Sequence, residues 1–542
     1  MKQIVIIGGV AGGMSAATRL RRLDPTASII VIERSGYVSY ANCGLPYFVG
    51  GVISERRDLL LQTPESLHAR FRLDVRILSE VVAIDAAAKS LTVRSVVDGS
   101  SYDLPYDALV LSPGASPIVP PLPGIERALT LRTIEDVTRM AAAVASGPRH
   151  AVVIGGGFIG IETAENLVHR GIATTVVEAA DQVLAPLDPE LAQPVADELR
   201  RHGIDLRLGS ALAQVTELGV ELADGQQIEA DLVILAIGVR PDTTLAKAAG
   251  VEVGPRGGIV VDSCNRTSDP NIYAVGDAAE KSDALDGESV LVPLANIANR
   301  QGRVVADHIM GRPVREVATI GTAIVKVFDL VVATTGWNEK RLRAAGRPCI
   351  ALHSHPGSHA GYYPGAESMM LKVLLDPTTG EILGAQGVGR SGVDKRIDVI
   401  ATAIRAGMTG PELADLELAY APPFGSAKDP VNMLGYMADN ILSGLTTSVQ
   451  WHELQARTDA GAQLVDVRTP AEFAAGHIPG AVNIPVDELR ERHAEIPTQD
   501  VIVYCQVGQR GHTAATLLRE LGITADNLDG GYRTWVHAPH AG

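Results

Sequence analysis

The feature that most constrains the fold of this 542-residue chain is a pattern written twice. An apolar β-like run, a glycine cluster and an alanine-rich helical stretch lead to a second β-run that ends in an acid. The first copy runs from Ile4 to Glu33 and the second from Ala151 to Glu178, each with the roughly 30-residue size of a βαβ unit. Such a duplication predicts two nucleotide-binding units in an α/β architecture.

In the second copy, Gly155, Gly157 and Gly160 satisfy G-x-G-x-x-G around Phe158 and Ile159, after a strand and opening a helix. Gly155 permits the tight turn, Gly157 lets backbone approach a pyrophosphate, and Gly160 lets the helix pack closely. Glu178 would accept hydrogen bonds from a ribose 2′-hydroxyl and repel a 2′-phosphate, which favours NADH and leaves NADPH possible. A merely structural glycine turn is the competing reading, and the strand, helix and terminal acid argue against it. In the first copy Gly8, Gly9, Ala11, Gly12 and Gly13 surround Val10, which stands where the middle glycine is expected; Gly9 and Gly12 are the residues to compensate. Glu33 ends the second strand, placed for the ribose of another dinucleotide.

Composition narrows the partners. The 47 basic against 63 acidic residues leave a net charge of −16, which excludes the basic footprint of a nucleic-acid or anionic-membrane binder. No apolar run reaches the 18 residues of a membrane span. The stretch from Met1 to Ala17 imitates a signal peptide, but its glycine spacing argues against one. Four scattered cysteines, Cys43, Cys264, Cys349 and Cys505, are too few for a disulfide framework and point to a reducing, cytoplasmic setting. Cys264 and Cys349 lie in no reactive context. His353, His355 and His359 cluster in sequence, but Pro356 and Gly357 break the spacing and no neighbouring acid or Cys completes a metal site, so none is expected.

Two further motifs carry chemistry. Thr267 to Asp277 (TSDPNIYAVGD) resembles the second FAD motif of flavin disulfide reductases, which implies that Asp277 hydrogen-bonds the ribityl chain; read alone, Asp277 is a helix N-cap before Ala278. Two dinucleotide units imply a shuttle in which one nucleotide delivers hydride and a bound flavin passes the electron pair on. Cys43 lies ten residues after Glu33 at an expected helix start, where the dipole would favour thiolate. A lone cysteine is more often a small buried hydrophobe, and here the context decides. Asn42-Cys43-Gly44-Leu45-Pro46-Tyr47 resembles the single-cysteine branch of the pyridine-nucleotide disulfide oxidoreductases, the coenzyme A disulfide and persulfide reductases in particular. The glutathione-reductase branch pairs cysteines five apart, but Val38 and Phe48 stand at those positions. A single thiol must pair with an external one or cycle through sulfenic acid, as in NADH peroxidases and oxidases. The peroxidases place a His where Val10 stands, which disfavours peroxide chemistry.

The resemblance implies a homodimer with four modules: an FAD-binding domain (1–118 and 243–320), an NAD(P)H-binding domain (119–242), an α+β dimerisation domain (321–445) and a rhodanese domain (447–542), reached through a linker, ILSGLTTSVQ. It extends the flavin site to Arg34, Val81, Ser112, Gly114, Gly276 and Ala295, and the nicotinamide site to Gly238. Coenzyme A would lie on Ser15, Arg19, Arg22, Ser39, Asn42, Arg300 and Lys428, with Arg19 and Arg22 on one helix face as a phosphate clamp; the competing reading is a solvated basic face. One family lysine is Phe71 here. Two partner-subunit tyrosines, Tyr420 and Tyr362 in preference to Tyr363, would protonate a leaving thiolate.

At the far end, Leu464-Val465-Asp466-Val467-Arg468 with Glu472 to Ala481, and the loop Cys505-Gln506-Val507-Gly508-Gln509-Arg510-Gly511, resemble a rhodanese and its active loop. Successive amides ending at a helix make an anion nest for a thiolate or persulfide, and Arg510 adds a cation. The expected activity is NADH-driven reduction of coenzyme A disulfide or, favoured by the fusion, of coenzyme A and other persulfides and polysulfides through Cys43, with Cys505 carrying sulfane sulfur. The alternative is an NADH oxidase or peroxidase.

Overall fold

The computed structural model describes residues 2–315, 317–497 and 500–539. The ends of the expected 1–118 and 447–542 segments, residue 1 and residues 540–542, lie outside the described residues. The chain forms two compact units, residues 1–181 with 203–321 and residues 182–202 with 322–542.

The first unit repeats one construction. Its first parallel sheet takes in β1 (Gln3–Ile7), β2 (Ser28–Ile32), β3 (Asp74–Arg76) and β4 (Ala108–Leu111), with helix α1 (Ala11–Leu23) between β1 and β2. Its second is built from β5 (His150–Ile154), β6 (Ala173–Val177), β7 (Asp205–Arg207) and β8 (Leu232–Leu235), with helix α2 (Phe158–His169) between β5 and β6. A fifth strand, β9 (Ile272–Ala274), closes the first sheet beyond β4, giving the order β9–β4–β1–β2–β3; the second runs β7–β6–β5–β8. Register matches between the copies: Val5 lies between Ile30 and Leu109, and Val152 between Thr175 and Val233. The central strands are almost wholly buried and mostly apolar, with Thr174 and Thr175 as buried exceptions, because both faces are covered, as parallel sheets require. Each copy also carries a three-stranded antiparallel ribbon, within residues 79–105 and 212–229.

Helix α3 (Ala295–Ile309) crosses α1. At the crossing, a Cβ on Gly302 would sit 2.4 Å from the carbonyl oxygen of Gly12, so only glycine lets the helices meet there.

In the second unit, β10 (Ala323–Val327), β11 (Leu330–Gly336), β12 (Ile350–Ser354), β13 (Met369–Leu375) and β14 (Ile382–Gly389) form an antiparallel sheet in the order β10–β11–β14–β13–β12. It packs against helices α4 (Val393–Ala406) and α5 (Pro430–Leu442). A second sheet of this unit is parallel: β15 (Ser448–Val449), β16 (Gln463–Asp466), β17 (Val482–Asn483), β18 (Val501–Tyr504) and β19 (Ala525–Leu528), ordered β15–β19–β18–β16–β17, with helices α6 (Gln509–Glu520) and α7 (Gly531–His537).

Two sequence expectations change. Residues 441–450 are not a solvated linker: α5 runs to Leu442, Thr446 is buried with its hydroxyl 2.7 Å from His512 Nδ1, and Ser448–Val449 is the edge strand beside β19. The segment 182–202, expected within the nicotinamide half, belongs to the second unit. Its helix buries Leu191, Val195 and Leu199 completely, and charge adds to that burial. The segment's helix, Pro189–Arg201, brings Glu190 and the preceding Asp188 to Lys372, whose ammonium lies 2.6 Å from Glu190, 2.9 Å from Asp188 and 2.7 Å from Glu339, with the lysine fully buried.

The fold predicts two stability results. A Cβ on Gly160 would lie 2.0 Å from the Gly155 carbonyl oxygen, and one on Gly157 meets nothing within 4 Å. Gly160→Ala therefore costs about 1–3 kcal/mol by overpacking and Gly157→Ala leaves the thermal midpoint unchanged. Lys372→Met strands three carboxylates in the interior and costs about 3–5 kcal/mol, read as an earlier thermal transition of the intact protein.

Candidate active site

The two glycine loops are held by the same device. In the first copy the Gly9 amide donates to Glu33 Oε2 at 2.8 Å and the Ser35 amide to Oε1 at 2.9 Å; in the second the Gly156 amide donates to Glu178 Oε2 at 2.6 Å and the Ala180 amide to Oε1 at 2.8 Å. Each acid thus closes its own loop as well as standing beside a nucleotide site. Gly8 and Gly155 both have positive φ, and a Cβ would lie 2.0 Å from the Ser112 oxygen and 2.4 Å from the Ala236 oxygen respectively. Gly238 shares the positive φ, and Phe158 and Ile159 are half-buried at the start of α2. Gly9 and Gly12, expected to compensate for Val10, are both closely packed: their Cβ positions would strike Val38 at 2.8 Å and Val275 at 2.9 Å, and Gly12 lines the cavity together with Val10.

That cavity has a volume of about 650 Å³ and is lined by Gly8, Ala11, Gly12, Glu33, Arg34, Val81, Ser112, Gly114, Gly276, Asp277 and Ala295. Of the residues expected at the flavin, Gly9 and Gly13 lie just behind it: Gly9 on Glu33, and Gly13 where a Cβ would meet the Gly8 oxygen at 1.9 Å. A long, glycine-walled trough with an acid beside its loop and a second acid, Asp277, on its wall fits FAD. Asp277 does not cap a helix: it lies inside a 3₁₀ turn, Gly276–Ala278, and pairs with Arg132 at 2.5 Å.

Cys43 and Asn42 line the same cavity. Cys43 is exposed in a 3₁₀ turn, Asn42–Gly44, that leads into the five-residue helix Leu45–Val49. A helix so short has little dipole, and the expected thiolate is not favoured by the chain's own groups. Crowding of solvent by the surrounding protein, then the Glu162 carboxylate, pushes the thiol above its ordinary range, while Arg132 pulls the other way. Glu162 accepts a 3.0 Å hydrogen bond from Tyr47, and Asn42 donates to the Arg132 carbonyl at 3.0 Å. Arg132 and Glu162 were missed from sequence. Arg132 lies 89 positions beyond Cys43, but Glu162 stands two residues after Gly160 on a recognised nucleotide helix, which was signal enough to weigh it.

The residues expected at coenzyme A are partly gathered. Ser15, Arg19 and Arg22 share α1, and Arg300 lies on the adjacent α3. Arg19 is taken by Asp307 at 2.7 Å, an acid that also faces Arg303 and Arg312. Arg22 lies over the Phe71 ring at 5.4 Å, so an aromatic partner occupies the family's lysine position. The two arginines of the expected clamp therefore have separate protein partners. Ser15 bonds Asn299, and Ser39, at positive φ, donates its amide to the Gly9 carbonyl at 2.7 Å.

Lys428 and the tyrosines lie in the second unit. Lys428 is exposed. Tyr362 and Tyr420, both exposed, share a 2.8 Å hydrogen bond between phenols, whereas Tyr363 packs edge-on to His359. Cys505 is 1% exposed at the end of β18, and the loop after it turns into α6 at Gly508, whose φ is +94°. Arg510 is bound bidentately by Glu472 at 2.6 and 2.8 Å; that pairing, ahead of the Cys505 sulfur, holds the guanidinium charged and keeps the Glu472 carboxyl down at about 2. Glu472 was also missed as a functional contact.

The three histidines hold no common centre. His355 meets Thr534, and His359 meets Ser358 and the Pro364 carbonyl. His353 does meet acids, contrary to the sequence expectation, because they arrive from 163 and 176 positions away as Glu190 and Asp529. Among the described residues no helix is long and apolar enough to cross a membrane.

Comparison with known proteins accords with this geometry. The family model for pyridine nucleotide-disulphide oxidoreductases matches residues 2–302, that for their dimerisation domain residues 322–430, and that for rhodanese-like domains residues 450–538. The coenzyme A disulfide reductase of Staphylococcus haemolyticus is 34% identical over 443 residues, 81% of this chain and 100% of that protein. The structure of reduced Bacillus anthracis CoADR-RHD superposes with a TM-score of 0.98 at 49% identity, over 99% of this chain and 98% of that one. A NAD-dependent persulfide reductase from A. fulgidus gives 0.92 at 37% identity, over 98% and 100%. The duplicated dinucleotide units, the lone thiol on their cavity and these matches agree: the chain belongs to the pyridine nucleotide-disulphide oxidoreductase family and carries a rhodanese-like domain behind the family's dimerisation domain.

Proposed function

We propose that this protein is a homodimeric, cytoplasmic reductase that uses NADH to reduce coenzyme A persulfide and related polysulfides, with coenzyme A disulfide as a substrate of the same site, and that Cys505 carries sulfane sulfur. The carrying observation is a single exposed thiol, Cys43, on the wall of the Gly8–Asp277 cavity. FAD, held by the Gly8–Gly13 loop, Glu33 and Asp277, would supply the two-electron relay between NADH and sulfur. NADH would lie on the Gly155–Gly160 loop beside Glu178.

The thiol chemistry follows from the residues. At rest Cys43 Sγ is bonded to the coenzyme A sulfur. Two electrons and one proton break that bond, leaving the Cys43 thiolate and the coenzyme A thiol. The thiolate attacks the inner sulfur of a coenzyme A persulfide; the Cys43–coenzyme A disulfide re-forms and hydrosulfide leaves with the outer sulfur. The Tyr362 hydrogen bond holds the Tyr420 phenol above its ordinary value, so it stays protonated to meet a departing thiolate, which we place on the partner copy. Ser39, Asn42 and the α1 basic face would receive coenzyme A, with Arg19 released from or shared with Asp307.

Intact mass of the purified, non-reduced protein tests the scheme: one coenzyme A mass per chain, removed by thiol reductant and mapped to the Cys43 peptide, is expected, and oxygen alone on Cys43 would instead support the oxidase. Cys43→Ser should lose NADH-dependent persulfide reduction by at least 100-fold; retained turnover overturns the role of Cys43. Because the Glu162 carboxylate raises the Cys43 thiol, Glu162→Gln should move the pH midpoint of Cys43 alkylation downward. An unchanged midpoint would remove Glu162 from the site's electrostatics.

A further inference from the structure

The sulfur-carrying loop is laid against one segment. The Tyr532 amide donates to the Cys505 carbonyl at 2.8 Å, the Arg533 amide to the Gln506 carbonyl at 3.0 Å, and Asn527 Nδ2 to the Gly508 carbonyl at 3.2 Å. In a planar trans peptide the next residue's N–H points opposite to the carbonyl. Fixing the carbonyls of 505, 506 and 508 on the 527–533 segment therefore turns the amides of 506, 507 and 509 away from it, the arrangement an anion nest requires. The fit is close: a Cβ on Gly531 would lie 2.4 Å from the Cys505 oxygen and 2.8 Å from the Gly508 nitrogen.

This template is pinned from behind by the antiparallel sheet of the same unit. Asp529, which opens the Gly530–Gly531 turn, accepts the His353 backbone amide at 3.0 Å and His353 Nδ1 at 2.6 Å; His353 Nε2 lies 2.9 Å from Glu190, and the ring is 1% exposed. Both ring nitrogens face carboxylates, so both carry protons. Burial alone would discharge the ring, but Asp529 and then Glu190 lift it to about 9, against the opposing charge of Lys372. His355 adds a 2.8 Å contact to Thr534, and a Cβ on Gly530 would come within 2.7 Å of His353 Cβ.

We propose that His353 and Asp529 are a positioning pair that sets the amide cradle of Cys505, so that the sulfur-transfer loop is completed by the dimerisation sheet. The inference rests on the reading of Cys505 as a sulfur carrier. In that role the Cys505 thiolate takes the outer sulfur of thiosulfate, releasing sulfite, and cyanide removes it as thiocyanate, which restores the thiolate.

The test uses the full-length holoenzyme and this thiosulfate-to-cyanide transfer, with NADH-dependent coenzyme A disulfide turnover as the internal control. His353→Gln should lower kcat for transfer about 10-fold with KM within threefold and the Cys43-dependent turnover within twofold. Asp529→Asn, nearly isosteric and so the safeguard against misfolding, should fall in the same direction. The double variant, which leaves a neutral amide pair, should recover to within threefold of wild type. Transfer within twofold of wild type in both single variants, or a parallel loss of both activities with an earlier thermal transition, overturns the proposal. If the wild type takes up no sulfane sulfur, the reading of Cys505 fails instead. The pair is then judged by the iodoacetamide rate at the Cys505 peptide, where a change of fivefold or more in His353→Gln upholds positioning and an unchanged rate overturns it.

Discussion

Both glycine loops of the duplicated βαβ units depend on a carboxylate that closes its own loop. Glu33 and Glu178 each accept one loop amide and one amide two residues further on, which ties the first turn of the βαβ unit to the end of its second strand. The loop amides are the groups that would otherwise bind phosphate or water, so the acid preorganises the loop at the cost of one donor. Around it the glycines divide the work. Gly8 and Gly155 take the backbone conformation that brings them under the next strand's carbonyl, Gly13 and Gly160 admit the helix, and Gly157 faces open space. The walls of the Gly8–Asp277 cavity and the Gly155–Gly160 loop follow from that framework.

The second unit is organised by charge rather than by glycine. Lys372 sits among Asp188, Glu190 and Glu339, and Glu190 passes the network through His353 to Asp529. A buried ion cluster is not an efficient source of stability, since desolvation offsets much of the attraction, but it is strongly selective about geometry because losing one member strands the others. It brings together residues 188, 190, 339, 353, 372 and 529 from separate segments, and with the buried Leu191, Val195 and Leu199 it ties the helix Pro189–Arg201 into the second unit.

What could be read in the sequence was whatever is local. The two βαβ units, their terminal acids, the lone Cys43 between Val38 and Phe48, and the Cys505 loop are all contiguous motifs whose chemistry depends on short spacings. Arg132 and the His353 network were not legible in that way, because their roles arise from pairings across tens to hundreds of positions; Glu162 and Glu472 stand inside recognised motifs, but their partners Tyr47 and Arg510 come from 115 and 38 positions away. The histidine cluster is instructive. Its sequence neighbours contain no acid, and the metal question turned on that absence, yet the sheet delivers two carboxylates to His353 and uses them for an ion-paired contact. Local reasoning also overstated the dipole at Cys43, because it took a helix start to imply a helix of useful length, and the helix there has five residues.

The two thiols sit in opposite surroundings. Cys43 is open to a cavity, where crowding and then Glu162 push its thiol above the ordinary range while Arg132 pulls it down. Cys505 is closed off at 1% exposure at the start of a glycine-curled loop, with Arg510 already neutralised by Glu472. In such a loop a terminal persulfide sulfur would be stabilised by fixed backbone amides more than by a free cation, and amides hold their aim only if the carbonyls behind them are fixed. That requirement places the demand for rigidity on the 527–533 segment, and through Asp529 on a histidine of the reductase scaffold. A fusion that only raised the local concentration of two modules would not need a buried imidazolium at the junction; one in which the scaffold finishes the sulfur-carrying loop would.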